Sequence, residues 1–290
     1  MMHQVLAKGI LSSKNGMNIY RGCSHGCIYC DSRSNCYQMN HEFEDIEVKV
    51  NAPELLAAAL RKKRKKCMIG TGSISDPYLP LEKLLKYTRK CLEIIDHYGF
   101  GLSILTKSNL ILRDLDLLIS INQKSKCVVA MTLTTYDEAL CRKIEPNVAT
   151  TRERFEVLQI MRDHEIPTVV WLSPILPFIN DTEENILGVL GYCMEAQVKA
   201  ILCFGMGVTL REGNREYFYA QLERLFPGIK EKYIRHFGNA YEIISPRNKE
   251  LMKAARDLCK KNDILLGTDE VFQYLWNFEE KKRYDQLGLF

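Results

Sequence analysis

The chain has 290 residues, 46% hydrophobic and 26% charged, a balance that excludes a disordered or fibrous protein. Lys and Arg number 40 against 36 Asp and Glu, and the resulting +4 with a pI near 8.4 falls short of the strongly basic range, above about 9, of a dedicated nucleic-acid module. No window approaches the roughly 20 apolar residues of a membrane span, and the start, MMHQVLAKGILSSKNG, lacks a small-residue cleavage site, so a cytoplasmic protein with no membrane partner is expected.

In chain order, the run Met17-Asn18-Ile19-Tyr20 predicts a first strand. A helix over 52–66 leads to a strand at 67–70, a helix over 81–97 to a strand at 101–105, and a helix over 109–121 to a strand at 127–131. A helix over 151–164 precedes the strand 168–172, and Asp181-Thr182-Glu183-Glu184 caps the helix before the strand 200–204. Six strands separated by helices require a parallel sheet with right-handed crossovers, either doubly wound or an incomplete (β/α) barrel. Periodicity does not choose between them. After Phe204 the rhythm changes to helices around 215–225, 245–261 and 269–284, with Ser245-Pro246 as a helix start. The domains expected are therefore a core over 1–205 and a helical C-terminal extension over 206–290.

Eleven cysteines at irregular spacing make poor evidence for a disulfide framework. Cys23, Cys27 and Cys30 are different: they form a CxxxCxxC group, RGCSHGCIYC, directly after the first strand. Gly22 and Gly26 let a short loop bend so that three sulfurs converge, and thiolates are the ligands that iron-sulfur clusters select. Three ligands for a four-iron cluster leave one iron open, as a catalytic metal site requires. Three other readings stand beside this one: Cys36 closes the fourth position, a structural zinc recruits His25 or His41, or the cysteines are unliganded. Cys91, Cys127, Cys141, Cys193, Cys203 and Cys259 have no second CxxC and are read as core thiols, without an auxiliary cluster.

The cysteine loop, with Tyr29 before its last cysteine, resembles the radical S-adenosylmethionine (SAM) superfamily over roughly residues 15–205. Within it the chain is most similar to the group related to spore photoproduct lyase, on the segments NIYRGCSHGCIYC, SISDPYLPLE, LTKS and TLTTYDEALCRKIEPNVATTRERFE. The resemblance implies a partial (β/α)6 TIM-like barrel with a [4Fe-4S] cluster on Cys23, Cys27 and Cys30, and SAM at the C-terminal mouth of the strands. It implies SAM contacts from Tyr29, Ser75, Lys107 and, with threonine replacing serine, Thr132. It also implies an external one-electron reductant of the flavodoxin or ferredoxin type. Cleavage of SAM would give a 5'-deoxyadenosyl radical that abstracts hydrogen from a substrate, with a nucleic-acid lesion or base as one class and a peptide or small molecule as the alternative. A non-catalytic iron-sulfur or zinc protein is the third reading. The resemblance names no further catalytic residue.

One departure bears on chemistry. The lyase group carries a hydrogen-donating cysteine two residues before the Ser-Asp serine, and Ser73 stands there in this chain. Cys67 lies too early on its strand to substitute. The run RKKRKK at 61–66 fits a phosphate patch or a solvated helix end. His25 is expected to be exposed, and Trp171, Phe178 and Tyr136 fit a pocket lining or core packing equally.

Overall fold

The structure is a computed structural model and describes residues 1–281. In chain order it has β1 (Met2–Val5), β2 (Gly16–Met17), β3 (Tyr20–Arg21), β4 (Ile46–Lys49), α1 (Ala52–Lys62), β5 (Met68–Thr71), α2 (Glu82–Leu85) and α3 (Tyr87–Tyr98). Then come β6 (Gly101–Thr106), α4 (Leu115–Lys124), β7 (Cys127–Thr132), α5 (Glu138–Ile144), α6 (Thr151–Asp163), β8 (Thr168–Trp171), α7 (Glu183–Glu195) and β9 (Ala200–Leu202). The last part holds β10 (Gly207–Thr209), α8 (Asn214–Leu225), α9 (Ile229–Phe237), β11 (Glu242–Ile244), α10 (Asn248–Lys261) and α11 (Thr268–Trp276).

The main sheet has six strands in the order β2-β5-β6-β7-β8-β9, all parallel. A doubly wound sheet reverses its strand order at a switch point, whereas this order only counts upward. The sheet is therefore the partial (β/α)6 barrel. Alternation along each strand divides its side chains. Ile69, Leu102, Ile104, Val129, Met131, Val170 and Ile201 join Leu56, Leu92, Leu118 and Phe155 of the surrounding helices in the largest core. Met68, Val128, Ala130, Val169, Ala200 and Leu202 face inward and pack on Val271 and Leu275 of α11. A strand buried on both faces must read as continuously apolar, as Cys127–Thr132 does. Each large aliphatic side chain so buried contributes about 1.5–3 kcal/mol.

The predicted first strand divides between two sheets: Met17 pairs with Thr71 in the barrel, while Tyr20 pairs with Val48 in a three-stranded sheet ordered β1-β4-β3. The predicted helix over 81–97 breaks at Lys86, whose φ is 56°. The extension is not purely helical. β10 and β11 form an antiparallel ribbon, α9 is an additional helix, and α10 begins at Asn248, after a turn in which the Ser245 hydroxyl accepts from the Arg247 N–H at 3.0 Å. The predicted helix over 269–284 is α11 as far as Trp276, and residues 282–284 lie outside the described residues. Trp276 closes on Gly70 of β5, where a Cβ would come within 2.5 Å of the indole. The extension thus fills the inside of the barrel with α11 and borders its mouth with the ribbon.

The basic run has a structural place. Arg61 and Lys62 occupy the last turn of α1, complementing its dipole, and the rest leads into the start of β5. That is the end of the sheet opposite the strand C-termini. Among the described residues no helix is long and apolar enough to cross a membrane.

Candidate functional site

The cysteine loop leaves β3 through Gly22, whose φ is 87°; a Cβ there would sit 2.5 Å from the Phe43 carbonyl, so only glycine fits. The loop is held by its backbone. Cys23 N–H donates to the Phe43 carbonyl at 3.0 Å, Ile28 N–H to the Ile144 carbonyl at 3.0 Å, and Asn147 N–H to the His25 carbonyl at 3.1 Å. Cys23, Cys27 and Cys30 are free thiols on the wall of one cavity of about 460 Å³, within the range of small-molecule sites. Burial pushes the Cys23 thiol up to about 12, Cys27 well above its ordinary value, and Cys30 upward. Without a cation these sulfurs hold their protons.

The C-terminal ends of the barrel strands supply the rest of the wall. Lys107 follows β6, Thr132 ends β7, Trp171 ends β8, and Tyr29 comes from the cysteine loop itself. Burial acts to lower the Lys107 ammonium, but its neighbours Cys27, Glu145 and Asp76 outweigh it and the net direction is upward. Lys107 therefore stays cationic, with Nζ 5.8 Å from the centre of the Tyr29 ring. Ser75 stands behind the wall. Its hydroxyl donates to the Gly22 carbonyl at 2.6 Å and so anchors the cysteine loop.

Its neighbour Asp76 has the larger role, one that the sequence did not single out. Oδ1 accepts from the Thr106 hydroxyl at 2.7 Å and from Tyr78 N–H at 2.8 Å, and Oδ2 accepts from Lys107 N–H at 2.8 Å. Oδ2 also lies 3.5 Å from His25 Nδ1. His25 is not exposed as expected: it is 3% accessible, and burial pushes its imidazole below the ordinary value.

A buried ion pair supports the loop from beneath. Arg154, fully buried on α6, pairs with Glu145 at the end of α5, and Tyr29 donates its hydroxyl to the same carboxylate. Arg154 also donates to the Thr132 carbonyl at 2.6 Å, which fixes the end of β7. Burial alone would raise the Glu145 carboxyl, but the charges of Arg154 and Lys107 hold it below its usual value.

The remaining sequence candidates separate cleanly. Trp171 lines the cavity, in edge contact with the exposed Phe204 at 6.1 Å. Phe178 packs with Tyr233 and Phe237, and Tyr136 lies against Tyr192 and over Gly188. Cys36 is exposed and accepts from Arg211 Nη1 at 3.0 Å, off the cavity wall. His41 packs against His3, also off it. Cys91, Cys127, Cys141, Cys193, Cys203 and Cys259 are buried.

A single zinc ion with Zn–S bonds near 2.3 Å places its sulfurs about 3.8 Å apart. Among the described residues the one group of three His, Cys, Asp or Glu with ligand atoms within 4.8 Å of one another is His3, His41 and Asp45, so the three loop sulfurs stand farther apart than that. The donor set, the open cavity beside it and the cationic Lys107 fit a [4Fe-4S] cluster with SAM on its free iron.

The sequence profile described as "Radical SAM superfamily" matches residues 17–190. The chain belongs to the radical SAM superfamily. Members of this superfamily are enzymes that use a [4Fe-4S] cluster with SAM and draw an electron from an external reductant. A relative from Methanocaldococcus jannaschii, described as uncharacterized, is 35% identical over 261 residues, 89% of this chain and 90% of that protein. An uncharacterized protein of Mycobacterium tuberculosis is 28% identical over 87% of this chain and 77% of its own length. Among solved structures, a spore photoproduct lyase variant superposes with a TM-score of 0.66 at 12% identity, covering 91% of this chain and 81% of that one. Another variant of the lyase, solved with bound AdoMet and dinucleoside spore photoproduct, gives 0.62 at 13% identity, covering 86% and 74%. This radical SAM chain therefore shares the lyase fold.

Proposed function

We infer that this protein is a radical SAM enzyme of the spore photoproduct lyase group that acts on a nucleobase or nucleic-acid lesion. The observation that carries the reading is that Cys23, Cys27, Cys30, Tyr29, Lys107 and Thr132 all line one cavity at the C-terminal ends of the strands. Cys23, Cys27 and Cys30 would hold the cluster. Lys107 would pair with the SAM carboxylate, and Thr132 and Tyr29 would complete its seat. When bound, the cofactor pair supplies one-electron cleavage of SAM to a 5'-deoxyadenosyl radical that abstracts hydrogen.

The chain's own residues orient and shield that event. Asp76 fixes the backbone of Lys107, Arg154 fixes the end of β7, and Ser75 fixes the loop at Gly22. The ribbon residues Ile243 and Ile244 add apolar side chains to the cavity wall. Trp171 and the 60%-exposed Phe204 present aromatic faces at the rim, where a flipped base would stack. The AdoMet and dinucleoside photoproduct bound by the lyase neighbour support the same substrate class.

Two features separate this enzyme from lesion cleavage by the lyase's own route. Ser73 lines the cavity where the group has its hydrogen-donating cysteine, and the only cysteines among the described lining residues are the three of the loop. The RKKRKK run also lies at the far end of the barrel, so it lends the cavity no phosphate contacts. A substrate radical formed here would have no thiol to quench it. The test is 5'-deoxyadenosine formation by the reconstituted enzyme with deuterated oligonucleotides, single-stranded and irradiated. Stimulated turnover with deuterium carried into 5'-deoxyadenosine supports the reading. Stimulation by peptides or small metabolites in place of nucleic acid would replace it.

A further inference from the structure

The three-stranded sheet β1-β4-β3 lies outside the barrel, and its register brings together residues the proposed chemistry does not use. His3 of β1 is paired with Glu47 of β4, and Asp45 precedes Glu47 by two residues, so all three share one face. The segment entering β4 adds His41. Its ring meets that of His3 edge to face with centroids 4.8 Å apart. His3 Nδ1 is 3.0 Å from Asp45 Oδ2, and His41 Nε2 is 3.8 Å from Glu47 Oε2.

The protonation pattern of His41 is informative. Its Nδ1 lies 3.0 Å from the Glu42 carbonyl, which can only accept, so Nδ1 carries the proton. In the neutral ring Nε2 is then the nitrogen with the lone pair. It is buried and has no hydrogen-bond partner, and the groups around it are a second imidazole and two carboxylates. A lone pair facing carboxylates is repelled unless a proton or a metal cation lies between them, and no hydrogen-bond partner is within reach of Nε2. A metal-bound histidine has this arrangement, with one nitrogen on the ion and the other donating to a backbone carbonyl.

We propose that His3, His41, Asp45 and Glu47 form a second metal site, separate from the cysteine loop, that binds one divalent transition ion, zinc by preference. Ligand atoms of His3, His41 and Asp45 already lie within 4.8 Å of one another, and tetrahedral coordination with bonds of 2.0–2.2 Å asks for about 3.3 Å between ligands. Modest side-chain rotation closes that gap. Two neutral imidazoles and two carboxylates balance a doubly charged ion. The flanking cations are engaged elsewhere: Arg21 donates to the Tyr37 and Gln38 carbonyls at 2.6 and 2.8 Å, and Lys49 to the Asn18 carbonyl at 2.9 Å. Four protein ligands make this a closed, structural site. Phe43 lies between His41 and Asp45 and accepts the Cys23 N–H, so an ion held here would fix that segment against the cysteine loop.

The test uses cluster-loaded protein, dialysed against zinc and then against metal-free buffer, with metals counted by mass spectrometry and the zinc environment read by X-ray absorption. The wild type is expected to retain one zinc per chain with a nitrogen and oxygen shell near 2.0–2.1 Å and no sulfur near 2.3 Å. The His3→Ala/His41→Ala double variant and the milder Asp45→Asn are expected to lose that zinc while iron content stays the same. No retained zinc in the wild type, a sulfur shell, or equal zinc in wild type and variants would overturn the proposal.

Discussion

The Thr106 hydroxyl donates to Asp76 Oδ1 at 2.7 Å, and this one bond joins the end of β6 to the loop after β5 at the rim of the cavity. The same carboxylate receives the Tyr78 and Lys107 N–H groups, so the position of the Lys107 side chain depends on a residue that does not bear the charge.

Replacing Asp76 with alanine is expected to leave these buried donors without an acceptor, at about 1–3 kcal/mol each in the dry limit. Thermal unfolding should shift down, and SAM affinity should fall by more than tenfold even though Asp76 carries no cofactor-pairing charge. An unchanged SAM dissociation constant in a folded Asp76→Ala protein would remove its positioning role.

Lys107→Met keeps the length of the side chain and removes its charge. A hydrogen bond to a charged group is worth about 1.5–3 kcal/mol, so the Kd for SAM should rise by roughly 10- to 150-fold. Calorimetry on the cluster-loaded variant checks this, with unchanged iron content as the control. The variant should still assemble its cluster, because Lys107 is no ligand.

The buried thiols predict a pH signature in the metal-free protein. A value of about 12 for Cys23, above the 9 of an ordinary thiol, means that the fold favours the neutral form. Stability is therefore unaffected below about pH 9 and declines as pH rises toward 12. Alkylation of Cys23, followed by peptide mass mapping under anaerobic conditions, should keep rising about tenfold per pH unit beyond pH 9, where a solvated thiol levels off. Cluster assembly must release these protons, so reconstitution should be disfavoured by acid.

Gly22→Ala tests the bend that presents the cysteines. A Cβ at that φ is strained and meets the Phe43 carbonyl, which costs about 1–3 kcal/mol. Iron incorporation should fall sharply while the far-ultraviolet circular dichroism stays near wild type, since the clash is confined to the loop.

The cysteine loop and the strand-helix alternation were legible because both are local: a ligand spacing and a hydrophobic period are written along the chain. Strand order was not, because periodicity states which residues form strands and not which strands pair; only the register of Met17 with Thr71, and onward to β9, selects the barrel. The brace of Glu145 and Arg154 was invisible for a related reason. Its members sit on two helices, nine residues apart, at no helical spacing. The resemblance pointed to Ser75, and the part of its neighbour Asp76 is visible only once β5 and β6 pair, since that brings Thr106 and Lys107 to the carboxylate. The parallel pairing of β1 with β4 joins residues 44 apart, and no short-range pattern announces it.

The most direct test of the central proposal is 5'-deoxyadenosine formation from SAM by anaerobically reconstituted, dithionite-reduced protein, with Cys27→Ala beside the wild type. Cysteine-dependent 5'-deoxyadenosine is the predicted result. A fully loaded wild-type cluster that neither binds SAM nor yields the nucleoside would contradict it, and the loop would then be a carrier or structural metal site.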